Sequence, residues 1–349
     1  MSHSPDILAP TPEGISNAAK ILHNGGLVAF PTETVYGLGA DAYNDIACQT
    51  IFAAKNRPPN NPLIIHLAEI DMIERFIMVS PVVRALAERF WPGPLTIVAP
   101  QNPQENLSRK ISRYANAGLD TLAIRIPAHS DARALLRAFA KPIAAPSANI
   151  SGFISATQSD HVLHDFPLGI SAVLQTSHPV GFGADCFGIE STIVQWTSSN
   201  KDSISILRAG VITQEDIQKI VPVLCTTPSS AHSNKASDHS ICAPGQLTCH
   251  YAPSTKLKLN ATCPEGYSGW LGFGSEKTSS PYLATIPHRN LSLTGNLEEA
   301  AYNLFAHLRA LDAVLSFEDT IAVAPIPLQG IGVAVNDRLK RAAALKLQI

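Results

Sequence analysis

A lysine and an arginine stand two residues apart in Lys55-Asn56-Arg57-Pro58, with Asn60, Asn61 and His66 close behind. At the end of a helix stopped by proline, such a pair splays two cations toward one cavity. Lysine supplies a point charge and arginine a planar fork, a combination suited to a polyphosphate. Taken by itself, a K-x-R pair is more simply two solvated cations favoured by a helix C-terminus. Substituting either residue at a helix end is expected to leave folding largely intact. A second segment, FPTETVYGLG (30–39), lies where a strand gives way to a Gly-bearing turn. Amides and hydroxyls can face a ligand there, or the hydroxyls can simply cap a tight turn. In APSANISG (145–152), Ser147 and Asn149 follow an apolar strand. Their hydroxyl and amide suit a phosphate, ribose or base edge, and equally a capped loop before the next helix. Thr121 and Arg125 lie four apart around one strand, so their side chains share a face. Arg125 sits inside the apolar run LAIRI and needs an anion, from a ligand or a salt bridge, because an unpaired buried guanidinium is costly. None of these segments is a Walker A loop, a GxGxxG fingerprint, a GxSxG elbow or an HExxH helix, so an ATP enzyme built on them uses a less common cradle.

These residues need elements to hold them. Residues 14–25 place Ile15, Ala18, Ala19 and Leu22 on one helical face, with Gly25-Gly26 as the stop. Leu27–Phe30 predicts a strand, 44–55 a helix closed before Pro58, and 63–67 another strand. Apolar runs at 95–98, 122–126, 143–145, 172–174, 192–194 and 204–207 predict further strands, with helical patterns near 81–90, 131–140 and 157–166. The alternation gives an α/β class with a substantial sheet, and the order is not a clean βαβ repeat. Residues 226–240 are almost wholly small and polar, which reads as a linker. Beyond it, runs near 257 and 270–273, an amphipathic helix at 296–312, a strand at 320–324 and a helix near 334–346 make a smaller α/β unit.

The chain has 349 residues, with 26 Lys plus Arg against 28 Asp plus Glu, a formal net charge of −2. That length suits two domains or one large one, and 45% hydrophobic residues suffice for a core. A near-neutral balance argues against gripping nucleic acid by bulk positive charge, while leaving room for a local site for a small anion. No run approaches about 18 apolar residues, so no membrane span is expected. The N-terminal segment lacks the basic and apolar regions of a secretory signal, so the expected location is cytoplasmic. The six cysteines then read as reduced thiols. The Cys242…Cys249-His250 cluster matches no standard zinc spacing.

The segments FPTETVYGLGADA (30–42), AKNRPPNNPLIIHL (54–67), FWPGPLTIV (90–98), AIRIP (123–127), APSANISG (145–152) and GIESTIV (188–194) run colinearly. Jointly they resemble the threonylcarbamoyl-adenylate synthase family with its YrdC-like domain. PGQLTCHYAP (244–253), NLEEAAYNLFAHLRALD (296–312) and GIGVAVNDRLKRAA (330–343) are similar to its long, two-domain form. The resemblance implies a YrdC-like twisted mixed sheet with helices over residues 1–222, a linker or lid over 223–254, and a smaller Rossmann-like α/β domain over 255–349. It implies a nucleotidyltransferase that joins L-threonine, bicarbonate and ATP into threonylcarbamoyl-AMP and pyrophosphate, with Mg2+ accompanying ATP. A transfer complex would then place the group on the adenosine beside the anticodon of tRNAs reading ANN codons.

Carried over by position, the resemblance gives Lys55 and Arg57 the nucleotide phosphates and the catalytic role. It gives Ser147 and Asn149 the adenylate, with Asn61, Thr121, Thr157 and Arg208 completing the ATP contacts. Thr34, His66 and Ser191 would line the threonine pocket, Arg125 would clamp the threonine carboxylate, and His250-Tyr251 would fold back over the mouth. No carboxylate cluster nominates Mg2+ ligands. The pattern departs from the family at 174–187, LQTSHPVGFGADCF, where a compact Gly-rich stretch is usual. Three other readings compete. A tRNA-binding module without adenylating activity sits poorly with the charge of −2, which leaves room only for weak RNA binding. A carbamoyl-adenylating domain of the hydrogenase-maturation kind would carry acylphosphatase-like and zinc-finger segments, and neither is present. A silent paralogue is at odds with intact K-x-R and S-x-N pairs.

Overall fold

Thr11 opens the first helix: its hydroxyl accepts from the Gly14 amide at 3.2 Å, and Pro12 fills a position whose N–H would be unpaired anyway. The helix buries Ala18, Ala19 and Leu22 on one face, the spacing read from sequence. The computed structural model describes residues 3–103, 110–177, 186–197, 203–221, 243, 250–275 and 281–344. In chain order the first unit runs β1 (Asp6–Leu8), α1 (Pro12–His23), β2 (Val28–Phe30), β3 (Gly37–Asp41), α2 (Asp45–Lys55) and β4 (Ile64–His66). It continues with α3 (Pro81–Phe90), β5 (Leu95–Pro100), β6 (Thr121–Arg125), α4 (Ser130–Phe139), β7 (Ile143–Ala145) and α5 (Ser159–Asp165). Then come β8 (Ala172–Leu174), β9 (Thr192–Thr197), β10 (Ser203–Arg208) and α6 (Gln214–Ile220). The strands form a mixed sheet ordered β1-β8-β2-β3-β7-β4-β6-β5-β9-β10.

One element departs from the sequence reading. The glycines of FPTETVYGLG belong to β3, a strand antiparallel to β2, rather than to a turn. A Cβ on Gly39 would meet Ile143 at 2.8 Å and Phe30 at 2.9 Å, so glycine is there for close approach across the sheet. The turn lies earlier, over Pro31–Tyr36, and is buried. The linker expected at 226–240, the Cys242 and Cys249 of the weighed zinc cluster and most of the divergent 174–187 stretch lie outside the described residues. Among the described residues Cys48, Cys186 and Cys263 form no disulfide. Among the described residues no helix is long and apolar enough to cross a membrane.

The second unit comprises β11 (Lys256–Leu259), β12 (Gly269–Gly272), β13 (His288–Asn290), α7 (Leu297–Asp312), β14 (Thr320–Val323) and α8 (Gly332–Ala343). Its sheet, ordered β11-β14-β12-β13, is parallel throughout. Parallel strands need crossovers, and α7 and α8 bury Leu304, Phe305, Leu308, Val335 and Leu339 against them. The same apolar cluster takes in Val35, Ile154, Ile189 and Tyr251. The two units therefore share a core across their junction. Beside it Arg309 of α7 pairs with Asp165 and donates to the carbonyls of Ile154 and Ser155.

Candidate active site

The α2 helix ends at Asn56, whose backbone turns left-handed at φ 50°, a conformation asparagine tolerates well. The stop therefore precedes Pro58, and the left-handed residue sends the side chains on either side of it to different partners. Lys55 is 1% exposed, and its ammonium donates to the carbonyls of Ser147, at 2.6 Å, and Asn149. Burial, then the charge on Arg57, push its pKa well below the ordinary lysine range. Arg57 donates from Nε to the Asn61 carbonyl at 3.0 Å, and from Nη2 to Asn61 Oδ1 at 2.7 Å and the Pro62 carbonyl at 2.8 Å. Burial and then Arg208 lower its pKa to about 9, which leaves it charged at neutral pH. Both cations are thus tied into the fold by buried hydrogen bonds as well as set at the site.

Arg57 lines a narrow cleft. Opposite it, Arg125 and His66 are register partners at the ends of β6 and β4. Arg125 finds its anion within the chain: Nη2 lies 2.6 Å from Oε1 of the fully buried Glu33, off the hydrogen-bonding axis. Its Nη1 donates to Thr34 Oγ1 at 2.9 Å and its Nε to the Gly93 carbonyl at 3.3 Å. Thr34 and Thr32 hydroxyls are 2.9 Å apart, so the PTET turn arrives with its hydroxyls already ordered. On the far wall Arg208, at the end of β10, holds the Ser191 carbonyl and hydroxyl at 3.1 Å each, and Thr96 holds that hydroxyl at 2.8 Å.

The strap 250–252 runs along one side of the cleft. Its Ala252 amide donates to the Gly152 carbonyl at 2.8 Å. His250 and Tyr251 line the cavity, and the buried His250 Nδ1 and Tyr251 Oη have no hydrogen-bond partner among the described residues. Burial, then Arg57, Lys55 and Arg208, hold the His250 imidazole neutral. His66 is lowered to about 3 by burial and then Arg125, and His161 to about 4 by burial and then Arg309. Unfolded, each titrates near 6.5. Below that pH the unfolded chain takes up protons that the folded chain refuses, so their contribution is present above about pH 6.5 and lost as pH falls. Thermal denaturation is expected to show stability dropping from pH 7 toward pH 4, by up to about 1.4 kcal/mol per pH unit per histidine. His161→Asn, which stays clear of the cleft, should make that slope shallower; an unchanged slope would refute the assignment.

Of the residues singled out in the sequence, Thr34, Arg57, His66, Arg125, Ser147, Arg208, His250 and Tyr251 line the cleft. Lys55, Asn61 and Ser191 stand one hydrogen bond behind it. Thr121 shares a face with Arg125 but sits at the other end of β6, about 13 Å along the strand. Thr157 faces His161, and the Asn149 amide ties the Ile150 and Phe153 carbonyls. Thr32, Tyr36 and Glu190 also line the cleft, and Glu33 backs it. All four lie in motifs read from the sequence, where nothing marked them individually. Among the described residues no group of three His, Cys, Asp or Glu is placed to hold a metal ion, and Glu33 and Glu190 both face arginines.

A family model described as "Telomere recombination" matches residues 20–210, and one described as "Threonylcarbamoyl-AMP synthase, C-terminal domain" matches residues 212–344. The threonylcarbamoyl-AMP synthase of Bacillus subtilis is 36% identical, covering 97% of this chain and 95% of its own length. That of Pyrococcus abyssi is also 36% identical, covering 95% and 94%. A crystal structure of Pyrococcus abyssi Sua5 complexed with L-threonine superposes with a TM-score of 0.81 at 35% identity, over 97% of each chain.

Proposed function

The chain belongs to the threonylcarbamoyl-AMP synthase family and makes threonylcarbamoyl-AMP, and from that premise we propose how its cleft does so. ATP and L-threonine are its substrates, and bicarbonate is the third. The threonine amine takes up the bicarbonate carbon with loss of water, giving a carbamate. A carbamate oxygen then attacks the α-phosphorus of ATP and pyrophosphate leaves, a nucleotidyl transfer. The step brings two anions together, so its barrier falls mostly through positioning and charge neutralisation.

The observation that carries this reading is the charge inventory of the cleft. Among the described residues Lys55, Arg57, Arg125 and Arg208 line or back it, against two buried carboxylates, Glu33 and Glu190. Arg57 and Arg208, with Lys55 behind Ser147, suit the phosphates. Arg125 with Thr34 and His66 suits the threonine carboxylate and side chain, and Ser147 suits the adenylate. A donor set of arginine-paired carboxylates does not fit a dedicated metal cage, so Mg2+ enters as the ATP complex. In this reading residues 1–222 form the synthase unit, 223–254 the lid and 255–349 a docked second unit. The strap at His250-Tyr251 excludes water from a labile mixed anhydride. The product then passes to a transfer complex acting on tRNA in the cytoplasm. The buried cations line or back a cleft rather than forming an exposed basic patch, so the RNA-binding reading gains nothing from the structure.

The purified chain, incubated with ATP, Mg2+, bicarbonate and L-threonine, is expected to yield threonylcarbamoyl-AMP by mass spectrometry together with pyrophosphate. Omitting threonine or bicarbonate should abolish both products. Pyrophosphate release independent of either would mean a different acceptor.

A further inference from the structure

We infer that the C-terminal unit supplies a positioning residue to the cleft: Arg338 of α8 holds both Glu190 and the Tyr251 strap in place against the first unit's cations. The inference rests on the proposed function and deepens it. Arg338 has no exposed surface, although it lies on a helix that also carries Asp337, Lys340 and Arg341. Its Nε donates to Glu190 Oε2 at 3.0 Å, and its Nη1 to the Ala209 carbonyl at 2.6 Å and to Asp337 at 3.0 Å. Its guanidinium carbon stands 5.5 Å from the centre of the Tyr251 ring, which also stacks on Phe305 of α7 at 5.4 Å and meets the His250 ring edge-on at 4.1 Å. One side chain of the second unit therefore touches two residues that line the cleft.

Each contact has a physical reason to matter. Glu190 is a carboxylate in a cavity otherwise suited to anions, where it would repel phosphate or compete for Arg208. Paired with Arg338, and with its other oxygen taken by the Ser155 hydroxyl at 2.5 Å, it has its charge balanced and both its oxygens occupied. Tyr251 has a left-handed backbone, φ 62°, which a bulky residue adopts only when its surroundings hold it. Those surroundings include Phe305 and Arg338 from the second unit. Only a forked donor spans Glu190 and the Ala209 carbonyl together, which lysine cannot do.

The test compares Arg338→Met and Arg338→Lys with Arg309→Met in the full chain. Arg309→Met removes a second ion pair between the units, with Asp165, that makes no direct contact with Glu190 or Tyr251. At a temperature where all are folded, Arg338→Met is expected to lose on the order of a hundredfold in kcat for threonylcarbamoyl-AMP. Adding Glu190→Gln to Arg338→Met should recover part of that loss, because the stray carboxylate is gone. Arg309→Met should lower Tm while kcat stays near wild type. Wild-type kcat in folded Arg338→Met overturns the inference, as does an equal loss in Arg309→Met, since docking alone would then explain both. If Arg338→Met does not fold, Arg338→Lys decides, and unchanged kcat there overturns it equally. A wild-type chain that makes no product would instead overturn the function on which the inference rests.

Discussion

Replacing Arg57 by alanine is expected to slow threonylcarbamoyl-AMP formation by roughly a thousandfold, the loss associated with removing a preorganised cationic donor from a phosphoryl-type transition state. The cost to folding should be much smaller, and the reason lies in opposing terms. Three buried acceptors, Asn61 Oδ1 and the carbonyls of Asn61 and Pro62, lose a charged donor, at about 1–3 kcal/mol for each group left unpaired. Against that, a desolvated guanidinium that repels Arg208 disappears, and its burial already counted against the folded state. Arg57→Lys separates fork from charge. Lysine restores a cation but cannot bridge Asn61 and Pro62 while facing the cleft, so its rate should lie between alanine and wild type. Steady-state kinetics at varied ATP, with Tm measured on the same samples, checks this. Turnover within a few fold of wild type in folded Arg57→Ala would remove Arg57 from the phosphate site.

How far the site could be read beforehand depends on how local its partners are. The K-x-R pair is visible because its members are adjacent, yet the left-handed Asn56 that separates their directions has no signature beyond asparagine itself. Burial of Lys55 was not visible at all, because its acceptors, Ser147 and Asn149, come from a loop 92 and 94 residues away. The rule that a buried arginine needs an anion predicted a partner for Arg125 without naming Glu33, which lies in a different motif. Strands with apolar runs were legible, whereas β3 was not, since glycines packed under Phe30 look like turn formers. Arg338 was the least legible: a helix with Asp337, Lys340 and Arg341 beside it reads as a solvated face. Only the docking of α8 onto Glu190 shows otherwise.

The pairing of Arg125 with Glu33 yields the second large effect. Arg125→Met leaves a carboxylate with no exposed surface beside no counter-charge. Breaking such a pair from one side costs about 3–5 kcal/mol, whereas replacing both members is often near neutral. Arg125→Met should therefore lower Tm sharply, and Arg125→Met with Glu33→Gln should recover most of that loss. Threonine recognition follows a different rule. The proposed clamp on the substrate carboxylate needs the guanidinium itself, so the KM for threonine should rise in both variants, and more than the KM for ATP. In the wild-type chain all three guanidinium nitrogens already have internal partners, Glu33, Thr34 and the Gly93 carbonyl. An incoming carboxylate must share the guanidinium with them, and Glu33, itself an anion held off the hydrogen-bonding axis, is the partner that competes with it for the charge. Glu33→Gln alone should then weaken that competition and lower the KM for threonine. Thermal denaturation and kinetics on the three variants separate the roles. If stability and threonine KM return together in the double variant, Arg125 serves the fold alone, and the threonine carboxylate must be sought at another cation.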